Sequence, residues 1–254
     1  MTRGGPTQRT TEWLDVTKAG RVAYHRRQFS EPYRSTIAFV RFLDECLTRP
    51  PARIVDIGCG EGANTFYLGR HFPGAELVGV DLNPDLVAWG NETIAALGGT
   101  NCHLEVGDLY DLDDRHSGAY DGVVCLQTLS WLPAFEAPLQ AMAALRSEWV
   151  ALSSLFYDGP VNTRIEIQDY TTPLDGKPFK ETFYNIYSLP LVRELLHAEG
   201  FTQVETRPFE IDIDLPRPAS PGMGTYTERL SDGRRLQVSG PLLMNWCFVF
   251  ASRG

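Results

Sequence analysis

The stretch Val55-Asp56-Ile57-Gly58-Cys59-Gly60-Glu61-Gly62 sets one carboxylate ahead of three glycines at alternate positions. Glycine lacks a Cβ, so such a loop turns tightly, takes up positive φ and brings backbone N–H groups close to a ligand. Asp56 at its head suits a ligand's positively charged amino group, met directly or through water. Two more carboxylates follow apolar runs: Asp81 ends one, and Asp108 stands after another, behind Gly107. The two oxygens of Asp81 suit the paired hydroxyls of a ribose. Gly58-x-Gly60-x-x-Ala63 also meets the loose dinucleotide fingerprint, and Asp81 serves a ribose in either kind of ligand. Asp56, Gly62 and Gly107-Asp108 are features that this fingerprint does not require.

These residues need elements to hold them. Arg53 to Ile57 is a short apolar run suited to a strand buried on both faces. The pattern then predicts a helix over Ala63 to His71, a strand over Glu76 to Asp81 and a helix over Pro84 to Leu97 closed by Gly98 and Gly99. Strands over Cys102 to Glu105, Gly122 to Leu126 and Trp149 to Leu155 follow, with a helix near Phe135 to Arg146. Such alternation implies an α/β fold with a doubly wound, mostly parallel sheet. Helical spacing interrupted by Pro32 predicts an N-terminal helical lid over residues 20–49. Residues 156–187, rich in aromatics and in proline and glycine breaks, read as an inserted cap. Residues 188–254 complete the sheet: a helix over Leu189 to Glu199, a strand over Val204 to Ile213, a hairpin turning at Asp232-Gly233 and a last strand over Leu242 to Ala251. One domain with elaborations is expected, its cofactor-binding core over residues 53–155.

From Arg53 to Leu155 the sequence resembles the class I S-adenosylmethionine-dependent methyltransferases. The resemblance rests on Asp56-x-Gly58-x-Gly60-x-Gly62, Asp81, Gly107-Asp108, and Tyr120 to Gln127 as the fourth-strand motif. It implies a Rossmann-like sheet of seven strands with an antiparallel last strand. It further implies that the glycine loop, with Cys59, cradles a methionyl group, that Asp81 binds ribose, and that Asp108 accepts from the adenine amino group between Leu82 and Leu109. Gln127 would lie beside the methionine, and Trp131 fills a place often held by another ring, frequently histidine. Tyr24, in the expected lid, joins this cofactor set. The cofactor implied is S-adenosyl-L-methionine, leaving as S-adenosyl-L-homocysteine, with no metal.

Methyl transfer from a sulfonium is an in-line displacement that asks chiefly for alignment and exclusion of water. An oxygen or nitrogen acceptor must still lose a proton, which His25, Tyr157, Glu166 or Tyr184 could take. Each has a plainer role open to it: His25 as an exposed polar neighbour of Arg26 and Arg27, the others as packing or surface groups. The aromatics of residues 156–187 suit a small organic pocket. With 32 acidic against 23 basic residues the net charge is −9, which excludes a global field for gathering phosphate backbones. A small-molecule metabolite is the expected acceptor, with no nucleic-acid or membrane partner; a protein or carbon acceptor stays open. A non-catalytic nucleoside-binding subunit and a nicotinamide-dependent oxidoreductase are the other readings. Five cysteines without paired spacing predict neither a disulfide framework nor a zinc site. A polar start and the lack of any apolar run near about 18 residues predict a cytoplasmic protein.

Overall fold

The computed structural model describes residues 27–112, 114–170, 178–219, 225–239, 242–243 and 245–254. Within them, helix α1 covers Arg34–Cys46, and strand β1, Arg53–Ile57, leads into α2, Ala63–His71. Next come β2 (Glu76–Asp81), α3 (Pro84–Ala96), β3 (Cys102–Val106), β4 (Gly122–Leu126), α4 (Glu136–Ala144) and β5 (Trp149–Ser154). The chain then makes four short strands, β6 (Phe156–Tyr157), β7 (Glu166–Asp169), β8 (Lys180–Phe183) and β9 (Tyr187–Ser188), before α5 (Leu189–Ala198) and β10 (Gln203–Pro208). It ends with β11 (Thr225–Arg229), β12 (Arg235–Ser239), β13 (Leu242–Leu243) and β14 (Cys247–Ser252).

Seven strands form the main sheet in the order β3-β2-β1-β4-β5-β14-β10. Neighbours from β3 to β5 are parallel, whereas β14 runs antiparallel to both β5 and β10. This is the mostly parallel sheet with an antiparallel last strand that the motifs imply. The order reverses between β1 and β4, and such a switch point opens a crevice at the carboxyl ends of the strands. Side chains alternate across the sheet because successive strand residues point to opposite faces. Ile54, Leu77, Val124, Leu126 and Phe248 join one core with Phe39 and Phe42 of α1, Phe66 of α2 and Ile94 of α3. Val55, Val78, Val123, Val150 and Val249 join the other core with Leu139 and Met142 of α4 and Val192 and Leu196 of α5. Burying each such aliphatic side chain is worth roughly 1.5–3 kcal/mol. The strand ends are thereby fixed, and with them the loops of the crevice.

Two expected strands differ in the structure. The run expected as one strand from Val204 to Ile213 pairs with β14 only as far as Pro208, whose ring leaves no N–H to donate; Phe209 and Ile211 instead pack into the α1-side core. The apolar run from Leu242 to Ala251 is likewise not one strand. Leu242 and Leu243 pair with β12, and the sheet strand begins at Cys247. An apolar run reveals burial but not which sheet supplies the partner. The β11–β12 hairpin pairs in antiparallel register, with Gly233 at φ 86° and its N–H donating to the Leu230 carbonyl. A left-handed glycine in this place is the usual device of a three-residue hairpin loop.

Helix α3 illustrates how local sequence fixes an end. Asn83 Oδ1 accepts from the N–H groups of Asp85 (2.8 Å) and Leu86 (3.2 Å), and Pro84 sits where the helix needs no donor. At the sheet edge, Asn91 of α3 bonds both the N–H and the carbonyl of Leu104 in β3 (2.8 and 2.9 Å), much as another strand would. Among the described residues no helix is long and apolar enough to cross a membrane. Replacing the cap in Asn83→Ala is expected to cost about 1 kcal/mol and to lower the melting temperature by about 2–4 °C. Thermal unfolding followed by circular dichroism checks this, and an unchanged midpoint would remove Asn83 from the cap.

Candidate active site

The glycine loop leaves β1 and is fastened to β2, because the N–H groups of Gly58 and Cys59 both donate to the Val80 carbonyl (2.8 and 3.2 Å). Gly58, Gly60 and Gly62 lie at φ 73°, 58° and 78°, the left-handed region that side chains disfavour. At Gly58 the reason is also packing: a Cβ would come within 2.5 Å of Thr128 Oγ1 in the turn after β4. Gly60 differs. Nothing lies within 4 Å of the place its Cβ would occupy, so the loop has its open side there.

Asp81 closes the other side of the loop. Its Oδ2 accepts from Gly60 N–H (2.8 Å) and its Oδ1 from Asn83 N–H (2.9 Å). Burial raises its pKa, and the N–H groups of Asn83, Gly60 and Leu82 oppose that rise. Each oxygen keeps lone-pair capacity beyond its backbone bond. Gly107, next to Asp108, donates to the Asp81 carbonyl at 2.9 Å, which sets Asp108 at the neighbouring strand end. Asp108 Oδ1 accepts from Tyr110 N–H at 3.0 Å. Leu82 and Leu109 are half-buried at this end of the crevice.

Asp56 is placed deeper than its motif suggests. It is 1% exposed and accepts from Thr65 Oγ1 of α2 at 2.7 Å. Desolvation pushes its pKa up to about 7, the Thr65 hydroxyl opposes the rise, and the nearby Asp81 charge adds to it. Burial also raises the thiols of Cys59 and Cys125, the latter to about 12, so both are neutral at physiological pH. Cys46, Cys59, Cys102, Cys125 and Cys247 are all unbridged.

The turn after β4 forms the third wall. Gln127 has φ 58°, a conformation that costs a non-glycine residue of order 1 kcal/mol or more. It is held by its N–H to Ser153 O (2.7 Å) and its amide to Ser35 Oγ of α1 (3.0 Å). Trp131 ends a 3-10 turn over Leu129–Trp131, and its ring centroid lies 4.6 Å from that of Tyr184. Tyr184 in turn lies 6.4 Å from Trp246 in an edge contact.

The structure thus brings Asp56, Gly58, Cys59, Gly60, Gly62 and Asp81 together at the carboxyl ends of β1 and β2, with Asp108 beyond β3 on one side and Gln127 beyond β4 on the other. Trp131 meets Tyr184 beyond Gln127. Tyr157, 50% exposed, and Glu166, an exposed residue of β7, both belong to the segment after β5. Tyr24 and His25 lie outside the described residues. Sequence reasoning missed Thr65, Thr128, Ser35 and Asn185. Asn185, wholly buried, donates to Leu132 O (2.8 Å) and Tyr187 Oη (3.1 Å), accepts from Ile165 N–H (2.9 Å) and bonds Ser130 O through its own N–H (2.8 Å). It ties the segment after β5 to the turn that carries Trp131. A separate cavity of about 790 Å³, lined by Phe29, Phe66, Arg70 and Leu97, opens at the far ends of α2 and α3 and is not this crevice.

Residues 55–148 match the family model of a methyltransferase domain. The chain is 29% identical over 195 residues to a malonyl-[acyl-carrier protein] O-methyltransferase of Geobacter sulfurreducens, covering 75% of this chain and 70% of that one. It is 35% identical over 89 residues to an uncharacterised protein of Rickettsia prowazekii, covering 34% of this chain and 35% of that protein's length. Its fold is similar to the N-terminal domain of EvdMO1, crystallised with S-adenosylhomocysteine bound, at TM-score 0.54 and 16% identity over 85% of this chain and 80% of that one.

Asp56 carries a pH signature. An aspartate that stays protonated to about 7 in the fold, but ionises near 4 when unfolded, makes the fold lose stability as pH rises between those values. Asp56→Asn removes that slope. The variant is expected to gain on the parent chain by on the order of a few kcal/mol from pH 4 to pH 7, read from urea midpoints across that range. A stability difference that does not vary with pH would show Asp56 to be ionised throughout.

Proposed function

We propose that the crevice binds S-adenosylmethionine and that the protein transfers its methyl group to an oxygen or nitrogen of a small-molecule acceptor. The observation carrying this reading is Gly60. Its open side adjoins the Asp81 carboxylate at the switch point, a cradle that any Cβ would begin to fill. The donor set also fits the group: carboxylates stand apart at the ends of β1, β2 and β3, as a ligand with a cationic tail, a ribose and an adenine requires. When bound, S-adenosylmethionine supplies a methyl carbon on a sulfonium, whose departure as a neutral thioether needs no acid.

The work of the chain is then to grip and align. Asp81 takes the ribose hydroxyls on its remaining lone pairs, and Asp108 with Leu82 and Leu109 takes the adenine. The loop from Gly58 to Gly62 holds the methionyl group, with the free N–H groups at the start of α2 near its carboxylate. Asp56 balances the amino group of that tail. A cation beside Asp56 favours its ionised form, so binding releases a proton below about pH 7. Gln127 bounds the methyl-donating end, on the side where α1 supplies Ser35.

The acceptor's proton leaves to solvent or to a side chain. Among the candidate bases, Tyr184 has its ring against Trp131 in the turn after β4. Of the segment 156–187, the described residues 156–170 and 178–187 serve as a cap on the acceptor side, while residues 171–177 lie outside the described residues. A metabolite suits the negative net charge and the aromatic content of this segment.

Titration calorimetry tests the reading. Wild-type protein is expected to bind S-adenosylhomocysteine and not nicotinamide dinucleotides. Asp81→Asn, which keeps an acceptor for a backbone N–H, is expected to weaken that binding by about 1–3 kcal/mol. Binding of a nicotinamide dinucleotide alone would overturn the proposal.

A further inference from the structure

Helix α1 is mounted on the antiparallel end of the sheet and reaches across to the crevice. From Phe39 onward it packs on β14 and β10: the rings of Phe39 and Phe42 lie 5.5 and 5.9 Å from that of Phe248, and Glu45 pairs with Arg207 at 2.7 Å. Its first turn carries Ser35 and Thr36, both buried. Consecutive helix residues point about 100° apart, so these two neighbours can meet different elements. Ser35 Oγ accepts from the Gln127 amide in the turn after β4 (3.0 Å), while Thr36 Oγ1 donates to Asn64 Oδ1 at the start of α2 (2.8 Å).

Those two elements flank the glycine loop, α2 following it in the chain and the turn after β4 lying against it. They are already joined where Thr128 Oγ1 donates to the Gly58 carbonyl at 3.2 Å. Two walls joined at one place can hinge about it, whereas a second tie elsewhere fixes the angle between them. Ser35 and Thr36 supply that tie from adjacent positions of one helix. Buried hydroxyls are costly unless they are hydrogen-bonded, and here each meets a side chain of a different wall. The tie also bears on Gln127 directly. Its backbone is held at φ 58° through Ser153, and Ser35 sets the aim of its amide.

We propose that Ser35 and Thr36 are positioning residues for the methionyl end of the donor, acting through Gln127 and Asn64 to hold the crevice at the width which that end requires. This rests on the reading of the crevice as the S-adenosylmethionine site, in which the methionyl group lies along the loop from Gly58 to Gly62. The adenosine end is held elsewhere. Asp81 and Asp108 follow β2 and β3, which lie beyond β1 from β4, and their places are set by bonds with Gly60, Asn83, Gly107 and Tyr110. Loosening the tie from α1 therefore acts on one end of the donor and spares the other. A general loss of stability would weaken both ends alike.

The test compares two ligands by calorimetric titration of the full-length protein: S-adenosylhomocysteine, which carries the amino-acid tail, and methylthioadenosine, which ends at the thioether. Ser35→Ala and Thr36→Val are each expected to weaken S-adenosylhomocysteine roughly fivefold, on the scale of one hydrogen bond, while methylthioadenosine stays within about twofold. Retained affinity for methylthioadenosine also reports an intact fold, and either substitution suffices should the other prevent folding. Thr36→Ser, which keeps the hydroxyl, is expected to hold most of the affinity that Thr36→Val loses. Equal weakening of both ligands, unchanged S-adenosylhomocysteine affinity in either folded variant, or a Thr36→Ser protein as weak as Thr36→Val overturns the inference and leaves the cofactor reading intact. If wild-type protein fails to bind S-adenosylhomocysteine, the cofactor reading falls and the inference with it.

Discussion

One carboxylate joins three elements of this fold. Asp81 stands at the end of β2, accepts the Gly60 N–H of the loop after β1, and accepts the N–H of Asn83, the cap of α3. Loop, strand end and helix start are therefore fixed by one side chain that is itself mostly desolvated. Charge-assisted bonds to backbone N–H groups are the stronger kind, and they offset part of the cost of taking that charge out of water, the pKa of Asp81 staying raised. The loop is thus held in shape by the fold itself. Preorganisation of this sort lowers the ordering cost of binding, because the loop need not be fixed at the moment of contact.

Much of this was legible in the sequence. Arg53–Ile57, Ala63–His71, Glu76–Asp81 and Gly122–Leu126 occur at the limits that their apolar runs and flanking breaks imply. These segments lie in the parallel half, where a strand buried on both faces must be apolar throughout and a glycine or proline marks each end. Legibility falls after β5. Leu242 to Ala251 looks continuous yet serves two sheets, because β-pairing depends on partners distant in the chain and hydropathy carries no record of them. The site divides in the same way. Glycines and carboxylates announce themselves through spacing, whereas Thr65, Thr128 and Asn185 act through contacts across many residues and have no local signature. Asn83 followed by Pro84 is the exception, since a capping side chain before a first-turn proline is a sequence-level signal.

The depth of Asp56 follows from the same alternation that builds the sheet. Ile54 faces the core beneath α2, and two residues on Asp56 must face the same way. The motif therefore carries a carboxylate into a layer otherwise filled by Phe66, Leu77 and Leu104. One hydroxyl, that of Thr65, meets it there. Buried carboxylates of this kind avoid the cost of an unpaired charge by holding a proton, which is why its pKa rises to about 7. An acid so placed responds to a nearby cation far more than a surface acid does, because the low surrounding dielectric strengthens each interaction.

Strain at Gln127 belongs to the same logic. A non-glycine residue in the left-handed region persists where its surroundings over-determine it. Here β5 holds its backbone through Ser153, α1 holds its amide through Ser35, and Thr128 next to it packs under Gly58. The turn that follows is pinned from the opposite direction by Asn185 and by the Ser130–Ser154 pair. The glycine loop and the Trp131–Tyr184 ring pair are consequently fastened to one short turn after β4, from its two sides. A displacement of that turn by a fraction of an ångström would move both walls together. Under the proposed methyl transfer, whose rate depends on the line from donor to acceptor, a shared mounting keeps that line straight.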